Sequence, residues 1–439
     1  MYAKLFAAVV LMFAAAGVTA TPVIQEWQSA SGARVLFVEN HDIPMLDVAV
    51  NLPAGSAFDA PEKSGVAALT HQLLDLGAGK LSEDDIARGI ADLGAQLGGS
   101  FDQDRASISL RTLSSEAERE RALAIMAAVV QQPLFPEPVL LREKARMIAA
   151  MKEAATKPET LADKAFQQAV FGQHPYALPV SGEVGTLENI RVQDLRDFYA
   201  AHYRAGAAVV AIMGDVSRAQ AEQIAQQLTA KLSPGKPAAR LHAAPGKIAA
   251  SEQRIPHPAS QSHILIGAPG IARSDPDYFA LYVGNYVLGG GGFVSRLMNE
   301  VREKRGMAYS VYSYFMPLQQ AGAFQIGLQT KKDQADEALQ IVRHTLAEFV
   351  ARGPTVQELR AARQNIVGGF PLRIDSNRKI LDYLSVIGFY DLPLSYLEDF
   401  PRRIEQVSVA QVRAAFARHI DPAAMATVIV GAPEAGESK

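Results

Sequence analysis

The sequence predicts an α+β fold made of two tandem copies of one unit, each a largely antiparallel sheet with packed helices, and three observations lead there. The chain has 439 residues, about 420 of them beyond a leader-like start, which is more than one ordinary hydrophobic core organises. It also repeats itself: ENIRVQDLRDFYAAH (188–202) lies over EQVSVAQVRAAFARH (405–419) at a shift of 217. Finally, the apolar period switches between 2 and 3.6 along each half, as it does where strands alternate with helices.

The elements follow in order. Lys4, the apolar run 5–18 and the small residues Val18-Thr19-Ala20 have the pattern of a secretory leader, so residues 1–20 are predicted to be a signal peptide and the mature chain to begin near Thr21. Strands are predicted at 34–39, 47–52 and 106–113, and helices at 65–76, 116–131 and 138–153. The second copy yields strands at 262–268, 309–315 and 324–330, with helices near 278–288 and 336–352. Strand-like 209–214 falls on 426–431 at the same shift of 217, while Leu141-Arg142 over Leu359-Arg360 and Pro53-Ala-Gly55 over Ala268-Pro-Gly270 drift to 218 and 215, as single insertions would produce. Pro and Gly in 233–247 mark the junction. The predicted division is 21–235 for the first domain, 236–250 for a linker and 251–439 for the second domain.

Composition narrows the function. A formal charge of −3, or −4 without Lys4, and no basic run argue against a nucleic-acid partner. After the leader no apolar run reaches the roughly 18 residues of a membrane span. With no cysteine there is no disulfide framework and no thiolate metal site. An exported, soluble protein of a bacterial periplasm is expected. No serine nucleophile elbow is present either.

The most specific segment is LGGGGFVSRLMNEVREKRGMAYSVYSYF (288–315). It closely resembles the second domain of the pitrilysin-type, or inverzincin, metallopeptidases, the group containing the mitochondrial processing peptidase and insulin-degrading enzyme. The duplicated α+β architecture of that family agrees with the repeat, and the resemblance covers almost all of the mature chain. In active members the first domain carries H-x-x-E-H on a helix, and a later glutamate completes the zinc site. Catalytic zinc needs three protein ligands with one position left for water, and the motif glutamate acts as general base. The matching segment here is GVAALTHQLLDLG (65–77). Laid on the family pattern, Ala68 takes the first ligand position, His71 the base position, Gln72 the second ligand position and Ala149 the distal glutamate position.

No two of the nine histidines lie three or four apart, so no helical ligand pair replaces the motif. His71 and Asp75 do have i,i+4 spacing, but two residues are too few for zinc. His202 and His419 read as structural members of the repeat. No metal is assigned to this chain.

The resemblance implies that the family's second catalytic element survives in Arg302 and Tyr309, seven residues apart at a helix end and a strand start. An arginine fork and a neutral phenol together would hold a substrate carbonyl and stabilise the oxyanion formed from it. Arg302 to Arg305 followed by Gly306 is also what a plainly capped helix end looks like. Gly289–Gly292 lacks the spacing of a phosphate loop and reads as a helix entry.

The resemblance therefore implies complementation: a homologous H-x-x-E-H subunit binds zinc, and this chain supplies Arg302 and Tyr309 to a heterodimeric periplasmic endopeptidase acting on extended peptides or unfolded polypeptides. The mitochondrial enzyme differs, since its Arg/Tyr residues lie on the zinc-bearing subunit. The alternative from another class is a non-catalytic scaffold or peptide-binding member of the family.

Overall fold

A computed structural model describes residues 22–235 and 241–431. The expected leader (1–20) and residues 236–240 of the expected linker lie outside the described residues. In the first half the elements are β1 (Gln25–Gln28), β2 (Arg34–Glu39), β3 (Met45–Leu52), α1 (Val66–Gln72), α2 (Glu83–Ala91), β4 (Gln96–Phe101), β5 (Ala106–Leu113), α3 (Glu116–Gln131), α4 (Glu137–Ala154), α5 (Pro158–Phe171), α6 (Val184–Glu188), α7 (Val192–His202), β6 (Val209–Gly214) and α8 (Arg218–Thr229). In the second they are β7 (Ser251–Ile255), β8 (Gln261–Pro269), α9 (Tyr278–Asn285), β9 (Ala308–Phe315), β10 (Ala323–Lys331), α10 (Ala335–Arg352), α11 (Val356–Gly369), α12 (Asn377–Phe389), α13 (Tyr396–Gln406), α14 (Val409–His419) and β11 (Ala426–Val430).

The two sheets have one topology. The first runs β1-β2-β6-β3-β5-β4 and the second β7-β11-β8-β10-β9, which is the same order without the outermost strand. Among the strands of the described residues only β2–β6 and β7–β11 pair in parallel. Arg34 faces Val209 in one and Ser251 faces Ala426 in the other, so both partners recur 217 residues on. The repeat in the sequence is thus a repeat of strand register.

Local chemistry starts several helices. Ser82 with Asp85, Ser217 with Gln220, Thr355 with Glu358 and Ser408 with Gln411 form capping boxes, each hydroxyl accepting a backbone N–H while the third side chain reaches back. The helix expected over 65–76 ends at Gln72 instead. Leu73 and Leu74 are both buried, and the chain tightens into three-residue turns there, with Leu74 N–H on the His71 carbonyl at 3.4 Å.

The halves are joined by an exchange of helices. α12 lies on the first sheet, where Ile380, Leu381, Leu384 and Ile387 pack with Leu36, Val38, Ala49, Val209, Ala211 and Met213. α5 lies on the second sheet, where Ala162, Phe166 and Val170 pack with Leu265, Ala426 and Val428. Glycines permit the close approach. A Cβ at Gly388 would stand 2.8 Å from Leu36 Cδ1, and one at Gly267 would stand 2.7 Å from the Phe166 ring. The central strands are therefore buried on both faces, which is why β2 and β6 read as continuous apolar runs rather than alternating ones.

Candidate functional site

α1 carries the degenerate motif. Its start is fixed by Asp59, whose two carboxylate oxygens accept the Gly65 N–H (2.6 Å) and the Ala67 N–H (2.9 Å). Burial pushes the Asp59 carboxyl up to about 7, against the lowering effect of those two bonds. Val66, Ala67, Leu69 and Thr70 turn inward, leaving Ala68, His71 and Gln72 on a cleft of about 520 Å³ between α1, α4 and the edge strand β4.

Nothing in that cleft is arranged for zinc. Ala68 offers a methyl group where a ligand would stand. The Gln72 amide donates to Glu143 Oε2 at 2.7 Å. Glu143 is only 4% exposed, and its carboxylate is met by Arg146 at 2.6 Å and by Arg142 Nε at 3.0 Å. Two guanidinium groups, not a divalent cation, balance this buried carboxylate. The donor set does not fit the metal: Ala68 has no donor, and His71 Nε2, Gln72 Nε2 and the Glu143 carboxylate are already engaged.

His71 donates from Nε2 to the Ser107 carbonyl (3.1 Å) and rests against Phe101, with ring centroids 5.5 Å apart. Burial holds its pKa below the ordinary imidazole range, and the nearby Asp75 carboxyl is pushed up by its own burial. Because α1 ends before Asp75, the i,i+4 spacing is not a helical one, and no His71–Asp75 hydrogen bond occurs among the described residues. Only Asp275, Asp277 and His419 bring three potential donor groups within 4.8 Å of one another among the described residues. There Arg418 already takes both Asp277 oxygens, at 2.9 Å each. His202 is buried on the Pro53 carbonyl, and His419 bonds Asp277.

Ala149 and Ala150 are both exposed and absent from the cleft wall. The cleft face of α4 carries Glu143, Arg146 and Met147, and a helix of 3.6 residues per turn brings that face round again at Ala150. Both positions are alanine, so no carboxylate stands at either.

The structure brings Arg302 and Tyr309 together. The turn over Met298–Glu303 is wide, with Lys304 N–H reaching back five residues to the Asn299 carbonyl (3.0 Å). Such turns re-aim side chains and recur at functional sites. Gly306, at φ 63°, closes the helix and donates to the Arg302 carbonyl at 2.7 Å, as a capped helix end requires. Tyr309 is the second residue of β9, an edge strand, with 86% of its surface exposed. The Arg302 guanidinium carbon stands 5.3 Å from the Tyr309 ring centre and 4.6 Å from that of Phe293. Sequence reasoning missed Phe293 and the Gln72–Glu143–Arg146 cluster. The Glu143/Arg146 spacing of three was the available sign of the latter.

The two candidate regions adjoin through a third cavity. The α1 cleft shares Ser181 with an apolar hollow of about 570 Å³ lined by Met151, Leu178, Tyr314 and Met316. That hollow shares Asp163 with a pocket of about 190 Å³ walled by Tyr309, Tyr312 and His263. Burial raises the Asp163 carboxyl and lowers the His263 imidazole.

A doubled α+β shell with an inverted-motif helix at one end of such a trough is the scaffold of a metallopeptidase, here without the donors that hold the metal. Residues 34–183 match the family described as insulinase (peptidase family M16), and residues 189–366 match the peptidase M16 inactive domain. The chain belongs to this M16 family. A crystal structure of a peptidase M16 inactive domain from Pseudomonas fluorescens is similar at 40% identity with a TM-score of 0.90, covering 94% of this chain and 98% of that one. A non-peptidase homolog, YmxG, of Helicobacter pylori is 27% identical over 93% of this chain and 94% of its own length. An uncharacterized zinc protease of Streptomyces coelicolor is 26% identical over 82% and 79%. The periplasmic protease PqqL of Escherichia coli shares the fold, with a TM-score of 0.78 at 14% identity, over 93% of this chain and 45% of that one. Among the described residues no helix is long and apolar enough to cross a membrane.

Proposed function

We propose that this chain is the Arg/Tyr-bearing subunit of a heterodimeric periplasmic zinc endopeptidase, in which a homologous H-x-x-E-H subunit supplies zinc, its ligands and the general base. The observation that carries this is the contrast between the two regions. The positions of the metal motif are filled by a methyl group and by an amide bound to an arginine-neutralised glutamate. Arg302 and Tyr309, by comparison, stand together at the surface with their polar ends unengaged by hydrogen bonds among the described residues. Arg302 would orient the scissile carbonyl with its in-plane N–H donors, and Tyr309 would donate its phenol proton to the same oxygen as charge develops there. Removing one preorganised donor of this kind typically costs about 2.7–4 kcal/mol, or 100- to 1,000-fold in rate. The proposed division is a leader over 1–20, a first domain over 21–235, a linker over 236–250 and a second domain over 251–439. The relatives that are zinc proteases support the partner's chemistry, and the non-peptidase homolog supports the loss of the metal here.

The test uses the purified chain alone, its candidate partner alone, and the mixture, with zinc content and peptide hydrolysis measured for each. Only the mixture should cleave, and Arg302→Ala and Tyr309→Phe should each lower its rate about 100-fold or more. Full activity of both variants in the mixture refutes the catalytic role. The scaffold reading has one observation in its favour, the apolar hollow between the two regions. It requires that the chain bind peptide while the mixture cleaves none.

A further inference from the structure

The way Arg302 is held differs from the way its neighbours are held. Arg296 is clamped by both oxygens of Glu358 at 2.7 Å each, and Lys304 and Arg305 both pair with Glu300, at 2.5 and 2.9 Å. Those cations have their donors and their charge consumed by carboxylates. The nearest carboxylate to Arg302 is Glu303, at 3.8 Å from Nε and outside hydrogen-bond range. Two ring faces flank the guanidinium instead, Phe293 at 4.6 Å and Tyr309 at 5.3 Å. A ring face attracts a cation through its quadrupole and takes up no N–H donor. The guanidinium is thereby oriented while its in-plane donors stay available.

Phe293 is 69% exposed, so its position is not explained by core packing. The glycine-rich segment places it. Gly291 N–H bonds the Tyr286 carbonyl at 2.8 Å, Gly292 turns the chain at φ 63°, and the buried Ser295 closes the turn by donating from Oγ to the Gly292 carbonyl at 2.8 Å. The segment that lacks phosphate-loop spacing thus has a definite geometric product, a phenyl ring laid over Arg302.

We propose that Phe293 is a positioning residue, which acts on substrate through Arg302 by fixing the plane of the guanidinium without occupying its donors. This rests on the reading of Arg302 and Tyr309 as the oxyanion-binding pair. Truncating the ring releases the guanidinium toward Glu303 and lowers the fraction of complexes in which its donors face the carbonyl. The turnover number should suffer and the Michaelis constant should not.

The experiment is steady-state hydrolysis of a fluorogenic peptide library by the two-subunit mixture, with thermal unfolding of each variant as a control. Phe293→Ala is expected to lower kcat by a factor of about 2 to 5 with KM unchanged. Phe293→Tyr restores kcat, and Phe293→Leu, which keeps the bulk but loses the ring face, does not. In an Arg302→Ala background Phe293→Ala has no further effect. Full kcat in Phe293→Ala or in Phe293→Leu overturns the proposal, as does an undiminished effect of Phe293→Ala when Arg302 is already gone. If Arg302→Ala itself leaves activity intact, the proposed function fails first, so the two failures are separable.

Discussion

Rebuilding the metal site tests the geometry of the cleft directly. Ala68→His, His71→Glu and Gln72→His restore the inverted motif on α1, and the open question is which residue of α4 reaches it. Each helical residue advances about 100° around the axis. Relative to Glu143, which bonds Gln72 and lines the cleft, Ala150 therefore lies about 20° away and Ala149 about 120° away. A zinc–carboxylate bond is about 2.0–2.2 Å long, and the ligand set tolerates only a few tenths of an ångström. The wrong face of α4 cannot meet that. Adding Ala150→Glu to the triple variant should give close to one zinc per chain, at least about 100-fold tighter than the triple variant alone. Adding Ala149→Glu should change little. Arg146 works against the graft, because its guanidinium loses a competitor for Glu143 and adds positive charge near the ion. Arg146→Ala in the same background should accordingly tighten zinc further. Elemental analysis after dialysis and competition with a chelating dye supply the measurement. Tighter binding with Ala149→Glu than with Ala150→Glu would mean that the cleft face of α4 has been misplaced.

Three further perturbations probe the framework. Asp104 is fully buried and accepts from Tyr176 Oη (2.6 Å), Gln319 N–H (2.6 Å) and Tyr390 Oη (3.0 Å), so Asp104→Ala strands three donors and should cost at least about 3 kcal/mol in denaturant unfolding, with Asp104→Asn costing less. The Asp59 carboxyl is raised from an ordinary 3.8 to about 7, so the folded state binds the extra proton between these values and its contribution to stability should fall as pH rises from about 4 to 7; Asp59→Asn should flatten that part of the stability–pH curve. Gly388→Ala adds a methyl group against Val209 and Leu36, and despite a better helix propensity of about 1 kcal/mol it should lower stability by about 1–3 kcal/mol, measured by calorimetry.

What the sequence made legible depended on whether a residue's environment was set locally. The helix at 116–131 and the strands at 34–39 and 106–113 have the boundaries their periodicity predicts. The edge strands β1, β4 and β7 carry polar residues and glycines with no alternating apolar face, and they pair only because a neighbour is already in place. α5 and α12 went unread for a stronger reason: each is an amphipathic segment whose apolar face is matched by a sheet roughly one repeat away in sequence. Arg302 and Tyr309 were singled out by their spacing of seven, and the fold brings the two side chains together. Phe293 was not, since an exposed phenylalanine after four glycines acquires meaning only when the chain folds it over a particular cation.

The exchange of α5 and α12 also bears on where the Arg302/Tyr309 wall stands relative to the α1 cleft. α4, whose residues fill the metal cleft, runs directly into α5, and α5 packs on the sheet that carries Tyr309. Asp104, next to β4 of the first sheet, is bonded to the loop between β9 and β10 of the second and to Tyr390 at the end of α12. Movement of one half against the other would have to break that buried carboxylate's bonds and slide Phe166 across Gly267. The wall bearing Arg302 and Tyr309 is in this way braced against the first domain. Ala68 and Gln72 stand on the cleft surface, outside the packing that sets where the Arg/Tyr wall stands. The division of labour we propose between this chain and a second subunit needs that fixed orientation, because a wall free to swing would not hold Arg302 and Tyr309 at a partner's metal.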